Sequence, residues 1–261
     1  MRIVTCCSRS GSSFICQLLH HLGADFGSDE ELVQADEWNS KGYFENKSVN
    51  TLNHELLFGP WSSPNIWIES MWPKNPLIRL RKISSLVLAP LVSKQSLIQK
   101  RGRKKADQII SISKELNNKI VKDPRFCYLM NSWQIHGSID SVLFVLRHPW
   151  ESASSMKRQT GLPLPLTYAG WKDSILNFWN IEHKYPVHIV DYNSLFQKDI
   201  SSKAMEPLFK FLDIKFDHEK ADNALSSTID KKMRRYKGTE KKLPKSIKKL
   251  YEDLLNRAAN Q

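Results

Sequence analysis

Four short segments of the chain have the pattern of buried β-strands. They are residues 3–6, 119–122, 141–146 and 187–190. The segment 141–146 is a continuous apolar run bounded by turn signals, which is typical of a strand covered on both faces in a parallel sheet. The strand pattern therefore predicts a central sheet that is mainly parallel.

Between these segments, apolar residues recur at helical spacing. The first such stretch is residues 14–22, where Phe14, Ile15 and Leu18 begin the repeat. Further helices are predicted at 49–58, 109–116, 126–135, 151–159, 168–184, and around 207–212 and 244–256. Strands that alternate with helices predict an α/β three-layer sandwich with right-handed crossovers. We treat residues 1–261 as one domain.

One stretch, residues 79–105, departs from this alternation. Lysine and arginine recur through it, and no acidic residue occurs between Glu69 and Asp107. We interpret it as a basic amphipathic insertion and as a candidate lid.

The net charge of the chain indicates which kinds of partner it binds. Lys and Arg total 39 against 27 Asp and Glu, which gives a formal net charge of +12 and implies an anionic partner. Nucleic acid, a membrane surface, acidic small molecules and glycans all fit that sign. The four cysteines have neither CxxC nor zinc spacing, and we expect them to be reduced.

The chain carries no pattern of a leader or a membrane span. It begins with a strand pattern and reaches polar residues 8–13 before a long apolar region could form. The longest apolar run elsewhere, near residues 86–92, is interrupted by Pro90 and is far shorter than the roughly 20 residues of a membrane helix. We expect a soluble, cytoplasmic protein.

A polar loop joins the first strand to the first helix. Residues 8–13 contain one glycine, Gly11, and one arginine, Arg9. A helix entered through such a loop presents unpaired backbone N–H groups and the positive end of its dipole, so it attracts phosphate-like anions. Arg9 adds a full positive charge to this candidate anion site.

Two common anion loops do not fit this stretch. A Walker A loop needs a second glycine followed by Lys-Ser/Thr, and no lysine follows Gly11 here. A cysteine phosphatase loop would place an arginine six residues after the cysteine, but Ser12 and Ser13 occupy those positions after Cys6 and Cys7.

A second candidate anion site follows the apolar strand 141–146. Arg147-His148-Pro149 ends the strand, and Ser155 lies two helical turns further on, so both side chains can converge on one phosphate. The alternative is an arginine in a surface ion pair and a serine that faces water.

Together these two motifs resemble the sulfotransferases that use 3′-phosphoadenosine 5′-phosphosulfate (PAPS). Residues 8–14 resemble the Arg-Ser-Gly-Ser-Ser/Thr form of the 5′-phosphosulfate loop in carbohydrate and bacterial members, and the Arg147 motif resembles the family's 3′-phosphate site. The resemblance implies a P-loop-like sulfotransferase fold and a transferase that binds PAPS. The implied PAPS-binding residues are Arg9, Ser10, Gly11, Ser12, Ser13, Arg147 and Ser155.

The resemblance also directs the choice of catalytic residues. Arg9 would stabilise the leaving group. The family takes its general base from histidine or glutamate, and Glu45 is our first choice because it lies in a segment, residues 41–45, that resembles the acceptor side; His54 is second and Asp36 third. The alternative for Glu45 is a charge that only favours the dipole of the following helix. The residues suggest no metal ligand set.

Other functions stay open at this stage. A divergent P-loop nucleotide kinase would bind ATP, and a basic nucleic-acid or membrane-surface protein would need only the +12 charge. We expect a small-molecule or glycan acceptor with a hydroxyl or amine, no nucleic acid, and membrane-surface contact through the basic stretches. Arg235, Lys237 and Gly238 weakly resemble a family loop that closes over the 3′-phosphate. The oligomeric state is left open.

Overall fold

Within the part of the chain that the structure describes, the central sheet has four parallel strands. The computed structural model describes residues 1–35, 42–59, 94–196, 205–228 and 242–261. The strands β1, β2, β3 and β4 lie side by side in the order β2-β1-β3-β4. Their bounds are Arg2–Cys6, Ile120–Lys122, Ser141–Leu146 and Val187–Asp191. All four predicted strands and the α/β fold class are therefore confirmed.

Helices connect and cover these strands. In chain order, α1 to α10 are Ser12–His21, Lys47–Phe58, Gln95–Lys104, Ala106–Glu115, Phe126–His136, Pro149–Thr160, Leu164–Trp179, Glu206–Phe211, His218–Thr228 and Lys245–Ala259. The sequence pattern predicted eight of them to within a few residues at most ends. It missed α9, whose sequence is largely polar, and it described α3 only as part of an amphipathic insertion.

Two apolar cores lie on opposite faces of the sheet. Ile3 and Phe144 pack in one core with α2, α5 and α7, whereas Val4 and Val145 pack in the other with α1 and α8. Successive side chains of a strand point to opposite faces, so each strand contributes to both cores. This is the three-layer arrangement that the strand pattern predicts.

The C-terminal part of the basic insertion packs against the body of the fold. Ile98 of α3 is buried, and Arg101 Nη1 donates to the main-chain oxygens of Leu56 and Leu57 at 3.1 and 2.9 Å, near the end of α2. A side chain at Gly102 would overlap Ser132 of α5, so the two helices touch closely there. Residues 79–93 lie outside the described residues, and the lid stays a prediction.

Two further expectations concern the cysteines and membrane-spanning helices. All four cysteines are free and buried, as expected, and burial raises the pKa of each thiol. Within the described ranges, no helix combines the length and apolar character that crossing a bilayer requires.

Candidate functional site

The candidate site lies at the carboxyl edge of the sheet. Because the strands are parallel, the residues that follow them meet at one edge, where ligands bind in open α/β sheets. The loop before α1 follows β1, Asp123 follows β2, Arg147 follows β3 and Tyr192 follows β4.

The loop after β1 has a tight left-handed geometry. Arg9 and Gly11 have φ values of 67° and 84°, and Ser10 N donates to Cys7 O at 3.2 Å. A side chain at position 11 would overlap the ring of Tyr192, so only glycine fits both this backbone and this neighbour. Among the described residues no side chain caps the start of α1, and its first N–H groups face the loop.

The two predicted anion motifs are in direct contact. Arg9 Nε donates to Ser155 Oγ at 3.1 Å, and Arg147 Nη1 donates to Arg9 O at 3.3 Å. The hydroxyls of Ser10 and Ser152 lie 3.3 Å apart. The structure therefore brings Arg9, Ser10, Arg147 and Ser155 together, although the motifs are far apart along the chain.

Arg147 takes part in a buried polar network. Its Nε donates to Glu151 Oε2 at 2.8 Å, and its guanidinium carbon lies 4.6 Å from the ring centroid of Tyr192. Asn193 Nδ2 donates to the other Glu151 oxygen at 3.1 Å, and Asn193 Oδ1 accepts from the His148 backbone. An ion pair of Arg147 was the alternative to a phosphate site, and such a pair exists, but it is buried rather than on the surface.

Glu45 lies next to the start of α1 and pairs with a buried lysine. Lys122 Nζ is 2.6 Å from Glu45 Oε1 and 3.5 Å from Ser13 Oγ, and the Lys122 side chain is 3% exposed. Burial lowers the pKa of Lys122, the Glu45 carboxylate raises it, and the net direction is upward. Asn50 Nδ2 donates to the other Glu45 oxygen at 2.7 Å. Lys122 therefore carries its positive charge beside the anion loop.

The N-terminus of α2 has its own cap. The side chain of Asn46 accepts from the backbone N–H groups of Ser48 and Val49, at 3.0 and 3.2 Å. Glu45 contacts Lys122 instead, so its role is not limited to favouring the helix dipole.

A second cation flanks Glu45. Asp123 is fully buried and accepts from Arg125 Nε and Nη2 at 2.9 and 2.8 Å, while Asn53 Nδ2 donates to the same carboxylate. Arg125 Nη2 is 3.7 Å from Glu45 Oε2. Burial lowers the pKa of Arg125, but Asp123 and Glu45 raise it and the net direction is upward. Glu45 thus lies between two fixed positive charges.

One comparison with known proteins bears on this site. A family model described as a sulfotransferase domain matches residues 130–258. The match supports the sulfotransferase family. It also supports sulfotransfer as the general activity and a transferase as the kind of enzyme. A comparison with curated proteins and a comparison with solved structures found no match.

The sulfotransferase match covers one half of the candidate site. It includes β3, Arg147, Ser155 and β4, whereas the loop before α1, Glu45 and Lys122 precede it. The loop is tied to the matched region by the Arg9–Ser155 hydrogen bond.

The remaining residues named from the sequence are His54, His148, Asp36 and those of the late basic loop. His54 is buried on α2, with its ring centroid 5.0 Å from that of Phe58. His148 packs edge-to-face on Tyr251 at 5.2 Å. Asp36 and the residues of the late basic loop, Arg235, Lys237 and Gly238, lie outside the described residues.

Three residues of the candidate site, Lys122, Glu151 and Tyr192, were not among the predicted site residues. Lys122 had a signal, because it is a lysine at the end of a predicted buried strand. Glu151 also had one, because it follows Arg147 at the i,i+4 spacing of helical ion pairs. Tyr192 had a weaker one, as an aromatic residue after the last strand.

Proposed function

We propose that this protein is a PAPS-dependent sulfotransferase that acts on a hydroxyl, or an amine, of a glycan or anionic acceptor. The observation that carries the proposal is the Arg9–Ser155 contact, at 3.1 Å. It joins a loop that resembles a 5′-phosphosulfate site to a motif that resembles a 3′-phosphate site, within a chain that matches the sulfotransferase domain. A donor with phosphates at both ends of its ribose needs both.

The donor set fits such a nucleotide. Arg9, the hydroxyls of Ser10, Ser12 and Ser13 and the N-terminus of α1 would hold the 5′-phosphosulfate. Arg147 and Ser155 would hold the 3′-phosphate, and no residue in the described part of the chain hydrogen-bonds to Arg147 Nη2. PAPS supplies the sulfuryl group and leaves as adenosine 3′,5′-bisphosphate.

The side chains around the loop would stabilise charge on the leaving side. Arg9 and Lys122 place two positive charges at the start of α1, and Lys122 is largely shielded from solvent. Because fixed charges act strongly in a site with little water, these groups would favour the negative charge that develops during transfer.

Glu45 would accept the proton of the acceptor hydroxyl. Its carboxylate is within 3.7 Å of both Lys122 and Arg125, and those contacts hold it in place. The acceptor hydroxyl would displace part of these contacts as it approaches the carboxylate. His54 is the second choice, and it is fully buried on α2.

Nucleotide binding tests the donor assignment. Calorimetric titration of the full chain with adenosine 3′,5′-bisphosphate should show binding, and Arg9→Ala should weaken it about tenfold or more because a charge-assisted contact is lost. Arg103→Ala removes an equal charge from an exposed position on α3 and should leave the affinity unchanged. Absent binding, tighter binding of ATP, or equal losses in the two variants would contradict the proposal.

A separate experiment tests the base. Transfer of labelled sulfate from PAPS to a panel of glycosides should be lost in Glu45→Gln, while the affinity for adenosine 3′,5′-bisphosphate is retained. Unchanged transfer would move the assignment to His54.

The charge of +12 supports a second candidate, a protein that binds nucleic acid or a membrane surface. Its binding should fall steeply with salt and be unaffected by Arg9→Ala.

A cytoplasmic location is also part of our proposal, and the four free thiols support a reducing compartment.

A further inference from the structure

A cavity of about 420 Å³ lies beside α1, toward its C-terminal end. This volume lies within the range of about 300–1,000 Å³ that is usual for small-ligand sites. Seven of the residues that line it carry aromatic or polar side chains that could bind a ligand. They are Gln17, His20, His21, Asp29, Gln34, Tyr43 and Phe44.

Tyr43 connects the cavity with the Glu45–Lys122 pair. Ser13 and Gln17 are four residues apart on α1, so they lie on the same face of the helix. Ser13 Oγ is 3.5 Å from Lys122 Nζ, and that nitrogen is 5.8 Å from the ring centroid of Tyr43, which lines the cavity. Tyr43 therefore lies near both the cavity and the lysine that pairs with Glu45.

The segment that ends in Glu45 has a constrained backbone. Phe44 has a φ of 56°, a left-handed conformation that is unfavourable for a non-glycine residue. The segment is held by hydrogen bonds between Val33 N and Glu45 O and between Lys47 N and Glu31 O, both at 2.8 Å. Such strain persists where surrounding contacts enforce it, often at ligand sites. Here it presents the Phe44 ring to the cavity while the next side chain contacts Lys122.

The lining is aromatic and polar, with little charge. The Phe44 ring lies 5.7 Å from that of His20, and Gln17 and Gln34 add amide groups. Among the described lining residues, Asp29 is the one acidic side chain, and there is neither lysine nor arginine. Aromatic faces with amide and carboxylate groups suit a ligand with apolar C–H faces and many hydroxyls. An anionic ligand would be repelled by Asp29.

We propose that this cavity is the acceptor subsite and that it takes a neutral sugar, with one hydroxyl directed toward Glu45. This inference rests on the proposed sulfotransferase function and chooses between the glycan and anionic acceptors. The basic residues elsewhere on the chain then serve the donor or other surfaces.

Ligand-observed NMR on the full chain tests the inference with two probes, a neutral methyl glycoside panel and methyl glucuronide. In the presence of adenosine 3′,5′-bisphosphate, at least one neutral glycoside should bind and the glucuronide should bind more weakly. Gln17→Ala should weaken the neutral glycoside about two- to tenfold, which corresponds to one hydrogen bond. Asp29→Lys should invert the preference toward the glucuronide. Gln108→Ala, on the exposed face of α4, should change neither.

The outcomes separate this inference from the function on which it rests. If adenosine 3′,5′-bisphosphate does not bind the wild-type chain, the proposed function fails. In a second outcome, adenosine 3′,5′-bisphosphate binds equally to the wild type and to Asp29→Lys, but neither Gln17→Ala nor Asp29→Lys changes glycoside binding. The assignment of the acceptor subsite is then wrong, and the donor assignment stands. Tighter binding of the glucuronide than of every neutral glycoside to the wild type would also overturn the subsite.

Discussion

Replacing Glu151 by alanine should destabilise the protein by about 3–5 kcal/mol, the usual cost of leaving one charge of a buried pair uncompensated. Glu151 is fully buried, and its carboxylate accepts from Arg147 Nε at 2.8 Å and from Asn193 Nδ2 at 3.1 Å. The Arg147 side chain is 9% exposed, so water can replace the lost carboxylate only in part. Glu151→Gln retains an acceptor without the charge and should cost less, about 1–3 kcal/mol.

The chain offers a matched control for this prediction. Lys248 and Glu252 form an ion pair with the same i,i+4 spacing, but their side chains are 63% and 56% exposed and 3.6 Å apart. Glu252→Ala should therefore change stability by no more than about 0.5 kcal/mol. The contrast between the two alanine variants isolates burial from sequence spacing.

Urea unfolding followed by circular dichroism measures these differences. A loss of about 3–5 kcal/mol is a large part of the roughly 5–15 kcal/mol typical of folded domains. The midpoint should shift strongly in Glu151→Ala with the slope unchanged. The double variant Arg147→Met with Glu151→Ala should recover part of the loss, because it removes both charges. A free energy of unfolding of Glu151→Ala within about 1 kcal/mol of the wild type, or a double variant no more stable than Glu151→Ala, would contradict this prediction.

Three further predictions follow from the described geometry. Gly11→Ala should abolish the binding of adenosine 3′,5′-bisphosphate, measured by titration. The φ of 84° is unfavourable for alanine, and its methyl group would overlap the ring of Tyr192. An unchanged affinity would contradict this loop geometry. Burial lowers the pKa of His148, so the free energy of unfolding should decrease as pH falls below about 6.5. Denaturation curves at pH 7 and 5.5 measure this decrease, which should be smaller in His148→Asn than in the wild type. An equal decrease in the two proteins would contradict the prediction. The buried thiols should resist a thiol reagent until urea unfolds the chain, and rapid labelling of the native protein would exclude their burial.

The fold could be predicted from the sequence where side-chain pattern decides structure. The run 141–146 forms a strand with every residue buried, as its continuous apolar pattern predicts. Helix α9 was missed because its side chains are mostly polar, and the tertiary contact with α1 that stabilises it is not a local property.

Single residues of the candidate site could be predicted from the sequence, but the contacts between them could not. Arg9 and Ser155 could each be assigned from a motif, since each motif is local. The pairing of Glu45 with Lys122 could not, because the two residues are 77 positions apart and no local pattern relates them. For the same reason the sequence gives Glu45 a position before a helix but says nothing of the two cations around it.

The central place of β1 has a consequence for how the protein is made. Arg2 of β1 pairs with Ile120 on one side and with Ser141 on the other. β1 is therefore synthesised more than a hundred residues before its partner strands, an interval on the order of ten seconds at usual rates of synthesis. Contacts of such long range also slow folding. During that interval the apolar β1 is exposed, so we expect the nascent chain to depend on chaperones until β3 has emerged.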